Sequence, residues 1–127
     1  MSLKIKVITD THYYSPETGT NGSAYEAAVM RSQKLLGGSR EVIQAAFEKI
    51  AADNSSDIVL IAGDVSNDGE KAAHEEFREM LRELKSKGKK VYLITATHDY
   101  KEKCKKYVGD KVEEMPGLLR EELYDFY

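Results

Sequence analysis

Three short apolar runs alternate with helical patterns along the chain. Residues 4–9, 57–62 and 90–95 have the composition of β-strands. The second run is apolar and rich in β-branched residues, which predicts a strand covered on both faces. Apolar residues recur at three- and four-residue spacing over 41–51 and 70–87, and this period predicts two helices.

The ends of the two helices carry the expected signals. Ser39 is predicted to be the N-cap of the first helix, and Asn54 to end it. Gly88 follows a basic last turn and is predicted to be the C-cap of the second. The order strand, helix, strand, helix, strand predicts an α/β fold with a mainly parallel sheet and crossover helices. Right-handed crossovers would bring the three strand ends to one edge of the sheet, where ligand sites form.

Two further segments have their own character. Residues 13–38 begin with turn-forming residues and continue into a short helical stretch, so we expect a cap-like insertion over the carboxyl edge of the sheet. After Asp99 the strand signal is lost, and the basic run 101–106 is interpreted as a solvated face. Residues 118–127 predict a short helix with no further strand to pack on. We therefore expect residues 1–127 to be the N-terminal portion of a truncated domain.

Composition excludes several classes of protein. A net charge of −3 argues against a general nucleic-acid binder, which would need a dense basic surface. Cys104 is the single cysteine, so no disulfide forms within the chain. The apolar run at residues 5–8 is too short for a signal peptide, and no run is long enough to span a membrane. These observations predict a cytoplasmic protein without a membrane partner.

Each predicted strand ends in residues that suit metal chemistry. Asp10 and His12 follow the first strand, Asp64 the second, and His98 and Asp99 the third. Acids that converge at one sheet edge repel one another, and a cation removes that repulsion. Carboxylate with imidazole favours manganese, iron or zinc over calcium. Alternate residues leaving a strand point to one side, which would pair the first two ligands.

The motifs together resemble the opening of calcineurin-like metallophosphoesterases. Asp-x-His at 10–12, Gly-Asp at 63–64 and His-Asp at 98–99 stand in the order typical of that family. Residues 63–71 and 10–13 are similar to a bacterial branch that includes cyclic-nucleotide-type phosphodiesterases. The resemblance implies the N-terminal half of a four-layer α/β/β/α sandwich. It also implies hydrolysis of a small-molecule phosphate ester, by hydroxide held on two divalent transition metals such as manganese, iron or zinc.

The resemblance also implies a role for each residue. Asp10 and His12 would bind the first metal, and Asp64 would bridge both metals. His98 would protonate the leaving group or stabilise charge on the phosphate, with Asp99 holding its imidazole. Thr97 stands where the family has an asparagine that binds the second metal.

Two departures from the family pattern concern the second metal. Thr97 offers a shorter and weaker ligand than asparagine. The sequence has 3 histidines in all, so the further histidines of the family's C-terminal half are not among its residues. We therefore expect at most one well-held metal, and a chain that alone is weakly active or inactive.

Other interpretations remain open at this stage. One is a catalytically incompetent fragment that binds a partner or a single metal, or forms a homodimer through an exposed half-sheet or the terminal helix. Another is a receiver-like domain that binds magnesium and accepts a phosphoryl group, although such domains need five strands. His74 is interpreted as a packing residue or as a partner in a helix-surface hydrogen bond, in preference to a metal ligand. Tyr13, Tyr14 and Tyr25 would either pack the cap or stack on a nucleobase.

Overall fold

The computed structural model describes residues 2–127 and has a mixed α/β fold. Three strands form a parallel sheet in the order β1-β2-β3, and two more form an antiparallel hairpin. The elements in chain order are β1 Ile5–Ile8, α1 Ser23–Arg31, α2 Ser39–Ala52, β2 Ile58–Ala62, α3 Lys71–Ser86, β3 Lys90–Ile94, β4 Lys103–Val108, β5 Lys111–Pro116 and α4 Arg120–Phe126. The predicted α/β class and parallel sheet are confirmed.

The main core lies between one face of the parallel sheet and helices α2 and α3. Val59 and Ile61 of the central strand are buried against Phe47 of α2 and Phe77 of α3. The two phenylalanine rings meet edge to face with centroids 5.6 Å apart. The apolar stripe predicted for each helix is the side that packs here.

The opposite face of the parallel sheet is open. Val7, Tyr92 and Ile94 are 62%, 59% and 66% exposed, and they belong to neighbouring rows across the three strands. The expectation that β2 is covered on both faces is therefore wrong: Leu60 on this side is only half-buried. Among residues 2–127, helices cover one side of the sheet alone, so three of the five residues in β2 stay accessible.

The hairpin of β4 and β5 corrects the expectation that strand structure ends after Asp99. Its buried pair is Cys104 opposite Met115, and both pack against Ala72. Burial raises the pKa of the Cys104 thiol to about 12, so this cysteine is a buried neutral group. The sequence hid the strand because Lys103 and Lys105 occupy its exposed alternate positions and obscure the apolar pattern.

The helix ends differ in detail from the predicted caps. Ser39 is the first residue of α2 rather than its N-cap, which is Gly38. The Ser39 hydroxyl instead accepts a hydrogen bond from the backbone N–H of Tyr14 at 3.0 Å. Asp53, one residue before Asn54, is the C-cap of α2. Gly88 adopts a φ of 88° directly after the C-cap of α3, as a helix-ending glycine does.

Helix α4 packs on helix α3 rather than on a further strand. Leu123 is buried, and the Arg78 guanidinium of α3 lies 3.9 Å from the ring centre of Phe126. The hydroxyl of Tyr127 lies 2.6 Å from His74 Nδ1. The homodimer expected through the half-sheet or α4 remains a prediction. Because α4 packs on α3, the open face of the parallel sheet is the surface available for such a dimer. In the described part of the chain, no helix combines the length and apolar character needed to cross a membrane.

Candidate metal centre

The loops after β1 and β2 continue to pair beyond the ends of their strands. The backbone N–H of Asp10 donates to Gly63 O at 3.1 Å, and that of His12 to Asp64 O at 2.9 Å. The N–H of Tyr13 donates to Val65 O at 2.7 Å. These bonds fix the two loops relative to each other, so side chains from both are held at one place on the carboxyl edge of the sheet.

Asp10, His12 and Asp64 form a group of three metal-binding side chains at this edge. One donor atom from each lies within 4.8 Å of the other two. His12 Nε2 is 3.7 Å from Asp10 Oδ1 and 4.0 Å from Asp64 Oδ2. Both separations are too long for a hydrogen bond, so the His12 ring nitrogen is not bonded to either carboxylate. The sequence therefore predicted three side chains that the fold does bring together.

All three of these residues have left-handed backbone conformations. Their φ angles are 54° for Asp10, 42° for His12 and 50° for Asp64. Such angles are uncommon outside glycine and cost about 1–2 kcal/mol each. The strand alternation invoked to pair Asp10 with His12 is thus not the mechanism, because two left-handed residues turn them together. Strained backbone of this kind concentrates at functional sites.

Gly63 makes room for the third loop. Its φ is +88°, and a Cβ built there would lie 2.7 Å from the Cβ of Ala96. Only glycine combines this conformation with so close an approach. The loop after β3 therefore reaches the loop after β2, and the backbone N–H of His98 donates to Asp64 Oδ1 at 3.1 Å.

The donor set fits a divalent transition metal. Two carboxylates and one imidazole are ligands for manganese, iron or zinc. The His12 ring has its Nε2 towards the two carboxylates, while its buried Nδ1 has no hydrogen-bond partner among the described residues. The group is also accessible, since the Asp10 side chain is 58% exposed. Asp10, His12 and Asp64 are therefore the residues that would hold an ion.

His98 lies beside this group, and its ring is contacted by a residue that the sequence did not single out. Its ring is 5.2 Å from the His12 ring, centre to centre, in an edge arrangement. Lys34 Nζ lies 3.1 Å from His98 Nδ1 and donates to Asn67 O at 2.6 Å. An ammonium group can only donate, so His98 Nδ1 accepts, and the proton of the neutral ring is assigned to Nε2. Lys34 belongs to the 13–38 segment, where no local motif marks it.

Asp99 is placed differently from the role that the resemblance implied. Its carboxylate is fully buried and accepts from the backbone N–H groups of Ser66 at 2.9 Å and Ala96 at 2.8 Å. It therefore ties the loops after β2 and β3 together, and holding the His98 imidazole is not its observed contact. Thr97 is exposed, and it begins the short 3₁₀ turn Thr97–Asp99 that Asp99 ends. Its role as a ligand remains a prediction.

The remaining predicted residues lie in the core or the cavity wall. Tyr13 and Tyr14 are buried, and Tyr25 packs against Tyr14 and Tyr107, which agrees with packing rather than base stacking. His74 is also buried and contacts Asp99 O at 2.8 Å. Asp10 and His12 line an open cavity of 520 Å³, whose other lining residues include Lys34, Leu35, Val42 and His98.

The chain has a parallel sheet with an Asp, His and Asp group at its carboxyl edge. These two features place it in the class of α/β domains that bind metal ions at a sheet edge. The family model of calcineurin-like phosphoesterases matches residues 3–126, and the chain belongs to this family. A search of curated proteins found no match. Family membership makes the chain part of a group of metal-dependent phosphoester hydrolases, and it decides against the receiver-like interpretation.

Proposed function

We propose that this chain is a metal-dependent hydrolase of small-molecule phosphate esters, acting on a diester or a monoester. The observation that carries the proposal is the Asp10, His12 and Asp64 group, within 4.8 Å at the sheet edge of a calcineurin-like phosphoesterase. Exposed Leu35 and Val42 line one wall of the adjoining cavity, so an apolar ester group fits there.

The metal requirement follows from the donor set. Asp10, His12 and Asp64 would hold one manganese, iron or zinc ion, and a second ion would have Asp64 and Thr97 as its ligands from this chain. A bound divalent cation supplies Lewis-acid stabilisation of charge on the phosphoryl oxygens. Because Thr97 is a neutral hydroxyl ligand, we propose that the second ion is held weakly and that turnover by this chain is slow.

The chain's own residues supply a hydrogen-bond donor and a fixed positive charge. As the oxygen of water bonds to phosphorus and the ester P–O bond breaks, the leaving oxygen needs a proton. In the tautomer that Lys34 selects, the neutral His98 ring carries its proton on Nε2, so His98 is the proposed hydrogen-bond donor to the leaving oxygen. The proton that this oxygen finally takes is the one that the attacking water gives up. The Lys34 ammonium lines the same cavity and contributes positive charge near the phosphoryl group.

A second candidate function is a catalytically incompetent domain that binds one metal ion or a partner. It is favoured by the ligand count, since the metal-binding group in the described residues has three members. The two candidates predict the same metal binding and differ in turnover.

Hydrolysis of bis-p-nitrophenyl phosphate with added manganese distinguishes them. The proposed function predicts slow, manganese-dependent release of nitrophenolate, which Asp64→Asn abolishes. Asp57→Asn is the matched control, because Asp57 precedes β2 at the opposite end of the strand from Asp64. Turnover equal in wild type and Asp64→Asn would contradict the proposal. Manganese binding without turnover would support the incompetent domain.

A further inference from the structure

A second open cavity adjoins the metal centre, on the other side of Lys34. It measures 650 Å³, and Lys34 and His98 line both cavities. Arg31, at the end of α1, and Lys105, in β4, line only the second one. The two cavities therefore lie side by side, and the second one faces the metal centre across Lys34 and His98.

The cations of the second cavity are not neutralised by carboxylates. Among residues 2–127, no Asp or Glu oxygen lies within 4.0 Å of the charged nitrogens of Arg31, Lys34 or Lys105. The one acid in the cavity wall is Asp68, and it pairs with Lys101 at 2.6 Å. A chain with more acidic than basic residues thus concentrates unpaired positive charge beside its metal centre.

The hairpin positions these cations. The N–H of Ala24, in α1, donates to Gly109 O in the turn between β4 and β5 at 3.1 Å. A Cβ on Gly22 would lie 2.4 Å from Gly109 O, so glycine permits this close contact. The hairpin also brings Tyr107 to the cavity wall, where burial raises the pKa of its hydroxyl and the Arg31 charge opposes that rise. Arg31 and Lys105 are thereby held on two packed elements.

We propose that this cavity, lined by Arg31, Lys34 and Lys105, binds a second anionic group of the substrate. The substrate class is then a phosphate ester that carries a carboxylate or a further phosphate at some distance from the scissile ester. This inference rests on the proposed function, because it places the scissile phosphate at the metal centre. Arg31 and Lys105 act as specificity-determining residues, since their charges meet the part of the substrate that does not react.

Binding of hydrolysis-resistant phosphonates tests this inference without turnover. The probes are ω-carboxyalkylphosphonates with two, three and four methylenes, each compared with the alkylphosphonate of matching length. Calorimetry in the presence of manganese gives the ratio of the two dissociation constants. We expect the carboxylated probe to bind about tenfold more tightly for at least one length, and the ratio to fall as ionic strength rises.

Substitutions locate the preference. Arg31→Gln and Lys105→Gln should each reduce the ratio by roughly three- to fivefold, the size of a partly exposed charge interaction. Lys106→Gln is the matched control. It removes the same charge as Lys105→Gln, but the Lys106 side chain points to the other face of β4. It should leave the ratio unchanged.

The outcomes separate this inference from the function on which it rests. Equal binding of both probes by the wild type, with manganese-dependent turnover intact, would overturn the anionic subsite alone. A preference that survives in the Arg31→Gln, Lys105→Gln double variant would also overturn it. If neither probe binds and no ester is hydrolysed, the proposed function fails and the subsite fails with it.

Discussion

Lys34 Nζ lies 3.1 Å from His98 Nδ1 and donates to Asn67 O at 2.6 Å. The ammonium therefore connects the 13–38 segment with the loops that follow β2 and β3. Because the ammonium cannot accept a hydrogen bond, this contact selects the His98 tautomer with its proton on Nε2. The family resemblance implied that Asp99 orients the His98 imidazole. In this structure Lys34, a residue of opposite charge, makes that contact.

Replacement of Lys34 tests this contact. Lys34→Met removes both the donor and the charge, so we expect kcat/KM for bis-p-nitrophenyl phosphate to fall about 100-fold, as for loss of one charge-stabilising donor. Nitrogen-15 NMR should show that the His98 ring no longer has a single tautomer. Lys34→Arg retains a donor and should recover part of both. An unchanged His98 spectrum in Lys34→Met would show that the lysine does not position the ring.

Substitution at Gly63 tests the close approach of the loops. Gly63→Ala places a methyl group 2.7 Å from the Ala96 Cβ at a φ of +88°, so it adds a clash to backbone strain. We expect the free energy of unfolding to fall by at least about 2 kcal/mol, measured by urea denaturation.

The double variant Gly63→Ala, Ala96→Gly separates the two contributions. Removing the Ala96 methyl relieves the clash but leaves the left-handed alanine, so a deficit of about 1–2 kcal/mol should remain. If the double variant were no more stable than Gly63→Ala alone, contact with Ala96 would not be the cause.

Stability should depend on pH through His74. Burial lowers the pKa of this imidazole below its ordinary value of 6.5. Above that pH the ring is neutral in both the folded and the unfolded protein. Below it the unfolded chain binds a proton that the folded chain does not, so stability is lost as pH falls, by up to about 1.4 kcal/mol per pH unit.

Urea denaturation measures this dependence of stability on pH. The pH should range from roughly 4.5 to 8, so that it includes values above and below the ordinary histidine pKa. The His74→Gln variant should be less stable at neutral pH, because both hydrogen bonds of this buried ring change. Its stability should nevertheless decline less steeply than that of the wild type below pH 6.5. Parallel curves for the two proteins would contradict the assignment of this pH dependence to His74.

The open face of the parallel sheet leads to a prediction about assembly. We propose that a second copy of the chain covers it, because Val7, Tyr92 and Ile94 are large apolar side chains left exposed on this face. Sedimentation velocity should show a concentration-dependent dimer that Tyr92→Lys dissociates. Tyr124→Lys, on α4, is the control and should leave the dimer intact. A wild-type monomer at all concentrations would refute the dimer.

The sequence predicted the parallel sheet and the metal group because both depend on local pattern. Strand-like runs and strand-end polar residues are contiguous in the chain, so their positions at one edge follow from parallel pairing. The hairpin was missed because its exposed lysines hide a strand whose burial depends on a single pair, Cys104 and Met115. Lys34 and Asp99 depend on contacts between distant loops, over 64 and 33 residues respectively. No periodicity or spacing in the sequence encodes such contacts.

Equilibrium binding of manganese, followed by electron paramagnetic resonance, tests the central claim most directly. Asp10, His12 and Asp64 are predicted to bind one manganese ion per chain. Asp64→Asn should weaken that binding by at least about 100-fold. Loss of a metal ligand should reduce metal affinity at least as much as loss of a residue that only hydrogen-bonds to a ligand. Asp57→Asn should bind as the wild type does. Wild-type protein that leaves manganese free in solution, or equal affinity in the Asp64→Asn variant, would contradict the assignment of this group as the metal centre.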